Sequence, residues 1–145
     1  MKKTVINEIK ITIPAISENE ALARAYVSVF ASKLDPSVDE LADLRCAVSE
    51  AVTNCVVHAY KGYPAVGKIY INSRLYSDRS VSVEITDKGC GIENIEKAMT
   101  PLFTTDGENE RSGMGFSVMQ SFTDKIKVTS RVSGGTRVFM SKKFS

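Results

Sequence analysis

Ile69, Ile71 and Leu75, then Val81, Val83 and Ile85, form two segments of alternating apolar residues on either side of Ser77-Asp78-Arg79-Ser80. Period-two alternation describes a strand with one wet and one dry face, and a turn-like quartet between two such runs describes a β-hairpin. The pattern returns at Ile126, Val128 and Val132, then Val138 and Met140, with Ser133-Gly134-Gly135 as the turn. Ile9, Ile11 and Ile13 alternate with Lys10 and Thr12 in a half-buried first strand that Pro14 ends. Hairpins dictate a mainly antiparallel sheet, and such a sheet must bury its apolar face against something.

Helices supply the cover. Ser17-Glu-Asn-Glu20 reads as a capping box, a serine and a glutamate each satisfying a free backbone donor at a helix start. Leu22, Tyr26, Val29 and Phe30 follow at helical spacing. A second box, Ser37-Val-Asp-Glu40 after Pro36, opens a helix whose Leu41, Leu44, Val48, Val52, Cys55 and Ala59 share one apolar side. A short helix is expected near Glu93 to Met99, and another from about Gly113 to Phe122. The order is strand, two helices, hairpin, irregular region, helix, hairpin. It predicts a two-layer α+β sandwich, a mainly antiparallel sheet with helices on one face.

The chain has 145 residues, enough for one cored domain, so 1–145 is expected to be a single unit. A net charge of +2 with scattered Lys and Arg gives no footprint for nucleic acid. After the basic start, Asn7, Glu8 and Lys10 interrupt any apolar run, so neither a signal peptide nor a membrane span is read there. Cys46, Cys55 and Cys90 include no C-x-x-C pair, and helix geometry puts Cys46 and Cys55 on opposite sides. The expectation is a reduced, cytoplasmic protein.

Three constellations carry possible chemistry. In SEAVTNCVVHAY, residues 49 to 60, Glu50 is the only charged side chain between Arg45 and Lys61 apart from the histidine His58. Each four-residue step advances about 40° around a helix, so Glu50, Asn54 and His58 form one drifting stripe. It is either the wet face of an amphipathic helix or, flanked by Ala47, Ala51 and Val57, the wall of a partly dry cleft. In the second case a carboxylate is placed to take a proton and an amide oxygen to ligate a hard cation such as Mg²⁺. The second constellation, Asp87-Lys-Gly-Cys-Gly91, directly follows a strand. It is a plain turn, or a place where glycines admit a ligand and Asp87 accepts from an amine such as that of adenine. The third, Arg111-Ser-Gly-Met-Gly-Phe116, opens a helix after the long segment TPLFTTDGENE, which reads as a lid or as a surface loop. Its small residues leave amide donors for an anion, though it matches neither the P-loop nor the dinucleotide fingerprint.

Together and in this order, the three segments resemble the N, G1 and G2 boxes of the GHKL ATPases and kinases. More narrowly, SEAVTN…H, PLFTT, ERSGMGF, LARAYVSVF and LDPSVDEL look like the sporulation anti-sigma-F factors, a family of serine protein kinases, and the similarity spans nearly the whole chain. The resemblance implies ATP and Mg²⁺ as cofactors, Glu50 as catalytic base and Asn54 as Mg²⁺ ligand. It implies that Asp87 reads the adenine amine with help from Thr136, and that Gly89 and Gly91 shape the pocket. Thr104, Thr105, Arg111, Gly113, Met114 and Gly115 would enclose the phosphates, with His58 lining that end. Implied partners are a sigma factor, an anti-anti-sigma protein phosphorylated on serine, and a second copy in a homodimer; Arg24 is a candidate partner contact or an ordinary solvated arginine. Lys88, where an acid is frequent, and Ala59, where glycine is common, depart from the family pattern. Rival readings are a stress-response anti-sigma kinase, a histidine-kinase catalytic domain, and a nucleotide-gated binding module without transferase activity.

Overall fold

The computed structural model describes residues 3–99 and 115–145. Strand β1 (Val5–Pro14) leads to helix α1 (Glu18–Ala31) and a 3₁₀ turn, Ser32–Leu34. Helix α2 (Val38–Asn54) continues into a π-helical turn, Cys55–Ala59. Hairpin β2 (Lys68–Tyr76) and β3 (Ser80–Asp87) follows, then the short α3 (Ile95–Ala98). Helix α4 (Gly115–Phe122) and hairpin β4 (Lys125–Arg131) and β5 (Gly135–Lys143) complete the fold. The five strands lie in the order β1-β2-β3-β5-β4, every neighbouring pair antiparallel.

The alternation read from sequence sorts the two faces. Ile69, Ile71 and Leu75, Val81, Val83 and Ile85, and Val138 and Met140 are buried against Val27 and Phe30 of α1, Leu44, Val48 and Val52 of α2 and Met119 of α4. On the other face lie ion pairs between neighbouring strands, Arg74 with Glu8 and Arg137 with Glu84. The fold is therefore the two-layer α+β sandwich expected, with a helical layer over one sheet face. Ile85 pairs with Val138 and Asp87 with Thr136, so register carries the ends of β3 and β5 to the same margin of the sheet.

Four local expectations differ. Ser37 does cap α2: its Oγ accepts from the Glu40 amide at 3.1 Å while the Glu40 carboxylate accepts from the Ser37 amide at 3.0 Å. Ser17 does not cap α1, because the chain is already helical there (φ −60°, ψ −33°) and its side chain makes no capping bond. Glu20 turns instead to α2, accepting from Ser49 Oγ at 2.6 Å. The dry positions of α1 are Ala23, Val27, Phe30 and Ala31, whereas Leu22 and Val29 are exposed. In β1 only Ile13 is buried and Ile9 is exposed, since the strand forms an edge and the helical layer covers only the end leading into α1. Finally, β4 stops at Arg131; Arg131 pairs with Gly135, which leaves Val132 exposed in the turn.

Candidate functional site

Helix α2 puts Ala47, Val48, Ala51 and Val52 into the core, which turns Glu50 and Asn54 to the half-buried margin of the helix. There they meet the start of α4. A Cβ placed on Gly115 would lie 3.3 Å from Asn54 Oδ1 and 3.4 Å from Glu50 Oε2. The absence of a side chain at 115 thus lets the amide end of α4 approach both oxygens. A helix start offers unpaired N–H groups and the positive end of its dipole.

The second constellation folds against the π-helical turn that continues the same end of the helix. A Cβ on Gly89 would fall 2.0 Å from the Ala59 carbonyl oxygen, so only glycine lets the loop lie on the π-helical turn. The Cys90 amide donates to that oxygen at 2.7 Å. Gly91 has φ +78°, a left-handed conformation costly to other residues, and its backbone lies against the Arg131 carbonyl. The loop is therefore clamped between α2 and the β4–β5 turn.

Asp87, at the end of β3, is 6% exposed. Its Oδ1 accepts from the Gly89 amide at 2.9 Å and from the Thr136 amide at 3.2 Å; its Oδ2 accepts from Cys55 Sγ at 3.6 Å. Burial raises the Asp87 carboxyl above the ordinary aspartate range, against the pull of those donors. Burial, followed by the neighbouring Asp87 charge, pushes the Cys55 thiol well up, so it remains protonated and donates. Thr136 Oγ1 shares a hydrogen bond of 2.8 Å with Ser130 Oγ, which in turn accepts from the Ile92 amide at 2.7 Å.

These groups open onto one cleft of ≈ 830 Å³. Asp87, Cys55 and Thr136 stand on its wall with Ala51, Ile92, Phe116 and Val138; Asn54, His58, Lys61 and Lys97 line it too. The arrangement is a largely apolar slot with a buried acceptor and a polar, partly cationic rim, suited to a flat heterocycle carrying an anionic tail. Asn54, His58, Asp87, Gly91, Gly115 and Thr136 are all brought to this wall. Glu50 stands beside it, behind Gly115, and Gly89 supports it from beneath. Arg24 is elsewhere, in a smaller groove with Glu18, Glu20, Thr53 and Val56, its guanidinium 3.7 Å from Glu20 Oε2. Thr104, Thr105, Arg111, Gly113 and Met114 lie outside the described residues. Sequence reasoning assigned no role at the site to Cys55, Ile92, Lys97 or Phe116. Cys55 falls on the dry side of α2 and is buried in the core, and its further place on the cleft rests on a contact with Asp87, 32 residues away, that helical spacing alone does not announce.

Residues 13–142 match the family model described as the histidine kinase-like ATPase domain. The chain belongs to this family. A histidine kinase-like ATPase domain binds ATP. Among curated relatives, the chain is 49% identical over 139 residues to the anti-sigma F factor of Clostridium acetobutylicum, covering 96% of this chain and 95% of the relative. It is 51% identical over 126 residues to that of Caldanaerobacter subterraneus subsp. tengcongensis, covering 87% and 86%. Within the ATPase family the chain thus groups with the anti-sigma F factors. Among solved structures, the RsbU and RsbW domains of a Mycobacterium tuberculosis protein superpose with a TM-score of 0.68 at 19% identity, covering 95% of this chain and 32% of that one. A blue-light activated histidine kinase domain from Erythrobacter litoralis gives 0.56 at 19%, covering 91% and 62%. At that identity these two share the fold.

Proposed function

We propose that this chain is an anti-sigma factor and ATP-dependent protein serine kinase. It holds a sigma factor of the sigma-F type while ATP is bound, and phosphorylates a serine of the anti-anti-sigma protein that antagonises it. The observation that carries the reading is the meeting of Glu50 Oε2 and Asn54 Oδ1 at Gly115, a residue lining the cleft that also presents buried Asp87. Asp87 accepts from the exocyclic amine of adenine. Glu50 takes the proton of the partner's seryl hydroxyl as its oxygen bonds to the γ-phosphorus and the bond to the β,γ-bridging oxygen breaks, releasing ADP. The amide end of α4 faces the charge that develops on the transferring group.

Magnesium fits this donor set. Mg²⁺ keeps several waters and takes few protein oxygens beside substrate phosphates, and Asn54 Oδ1 offers one hard oxygen at the α4 end of the cleft. When bound, the ion would neutralise phosphate charge. Thr104, Thr105, Arg111, Gly113 and Met114 are assigned to phosphate enclosure by their place in the family motif, and His58 and Lys61 add polar groups to the cleft. Arg24, on a groove between α1 and α2, is proposed as a partner contact, and a homodimer as the working state.

Incubation with γ-labelled ATP, Mg²⁺ and the anti-anti-sigma protein tests the reading. Label is expected on a serine of the partner, and the Glu50→Gln variant is expected to bind ATP normally while transferring at a rate lower by at least about 10²-fold. Equal transfer by the variant would remove Glu50 as base. ATP binding with no label on the partner would leave a nucleotide-gated binding module.

A further inference from the structure

Cys55 belongs to the buried core, as its sequence spacing suggests, and also lines the cleft. It is 4% exposed, stands at the first position of the π-helical turn, and lines the same wall as Asp87. We propose that Cys55 is a positioning residue for base recognition: its S–H, donating to Asp87 Oδ2 across 3.6 Å, fixes the carboxylate rotamer so that the remaining Oδ2 lone pair faces the bound base. This rests on the proposed assignment of Asp87 to the adenine amine and names a residue through which that assignment works.

The division of labour on Asp87 follows from donor chemistry. Oδ1 is occupied by two backbone amides, Gly89 and Thr136, held in place by the clamped loop and the β3–β5 register. Those two bonds hold one oxygen of a rigid planar carboxylate, and the contact from Cys55 adds a third tether, on the other oxygen. Cys55 is the side chain that touches the second oxygen. A thiol is a weak donor, so it orients Oδ2 without saturating it and leaves a lone pair for a stronger N–H. An alanine would fill much of the same space yet offer no donor; serine keeps a hydrogen.

The test is calorimetric binding of ATP and of purine riboside triphosphate, which lacks the 6-amino group, to wild type and to the Cys55→Ala, Cys55→Ser and Asp87→Asn variants. Cys55→Ala is expected to weaken ATP about three- to tenfold, the scale of one neutral hydrogen bond, and to leave the amine-free analogue within about twofold. Cys55→Ser should recover most of the ATP affinity. Equal weakening of both ligands would mean that Cys55 only packs, and no change in either would also overturn the proposal. Should the alanine variant fail to fold, Cys55→Val, which fills the site without a donor, gives the same discrimination. If Asp87→Asn distinguishes the two ligands no differently from wild type, the base-reading role itself fails. If Asp87→Asn loses the distinction and the Cys55 variants keep it, only the role of Cys55 falls.

Discussion

A buried aspartate held above its ordinary titration range is a cost to the fold, and Asp87 illustrates why a protein keeps one. Its protonated form is favoured in the folded state, so no penalty exists below the unfolded value of 3.8; the penalty grows as pH rises through the higher folded value and is complete above it. Asp87→Asn removes that term yet keeps an oxygen able to accept from the Gly89 and Thr136 amides. The expected outcome is a melting temperature at pH 7 equal to or above wild type, together with ATP affinity reduced about tenfold and loss of preference for ATP over GTP, since guanine presents an acceptor where adenine presents a donor. Thermal melts and competitive nucleotide binding check the two halves, and a variant that loses stability but keeps base preference would refute the assignment. The aspartate and its two glycines were legible in the sequence as a motif. The Cys55 contact was not, because it joins positions 32 residues apart that no local pattern links.

The two capping boxes show how far a local signal reaches at the scale of an element. Ser17-x-x-Glu20 and Ser37-x-x-Glu40 are the same pattern, but only the second forms. Ser37 follows Pro36 and is extended (ψ 162°), so its hydroxyl faces the first free amides of α2. Before α1 the chain turns earlier, the Ile16 amide bonding to Pro14 O at 2.9 Å and that of Asn19 to Ile16 O at 3.0 Å, and Ser17 is carried into helical geometry. Ser37→Ala is therefore expected to lower stability by about 1 kcal/mol and Ser17→Ala by no more than a few tenths, measured by denaturant unfolding. Glu40 adds a pH signature. Amides of Ser37 and Ser145 hold its carboxyl down to about 2, so its contribution is fully present above the unfolded value of 4.5 and is lost as pH falls towards 2. Glu40→Gln should flatten the acid limb of the stability profile between those limits; an unchanged limb would show that other carboxylates dominate it. Strands and hairpins were readable from alternation alone, whereas β5 lying between β3 and β4 was not, because each hairpin has two edges and the choice is made by non-local pairing.

At the scale of the whole molecule, the cleft has no single owner. Its walls come from the end of α2, the loop after β3, α3, the start of α4 and the beginning of β5, segments far apart in sequence that approach one another only when sheet and helical layer are both in place. A ligand of that cleft binds the folded chain and not the unfolded one, so it stabilises by mass action. At 100 times its dissociation constant, ATP with Mg²⁺ should add about 2.7 kcal/mol, or about 5–10 °C in melting temperature for a chain of this size. Because α1, α2 and α4 share one buried cluster with β2, β3 and β5, helical signal and tyrosine environment should shift together. Far-ultraviolet circular dichroism and tyrosine fluorescence, followed with and without nucleotide, read the two. Coincident transitions that move as one would support a single cooperative unit over 1–145. Movement of the fluorescence transition alone would mean that the cleft orders locally on a sheet that unfolds independently, and in that case neither the shared core nor the proposed site spanning it describes how the chain responds to ATP.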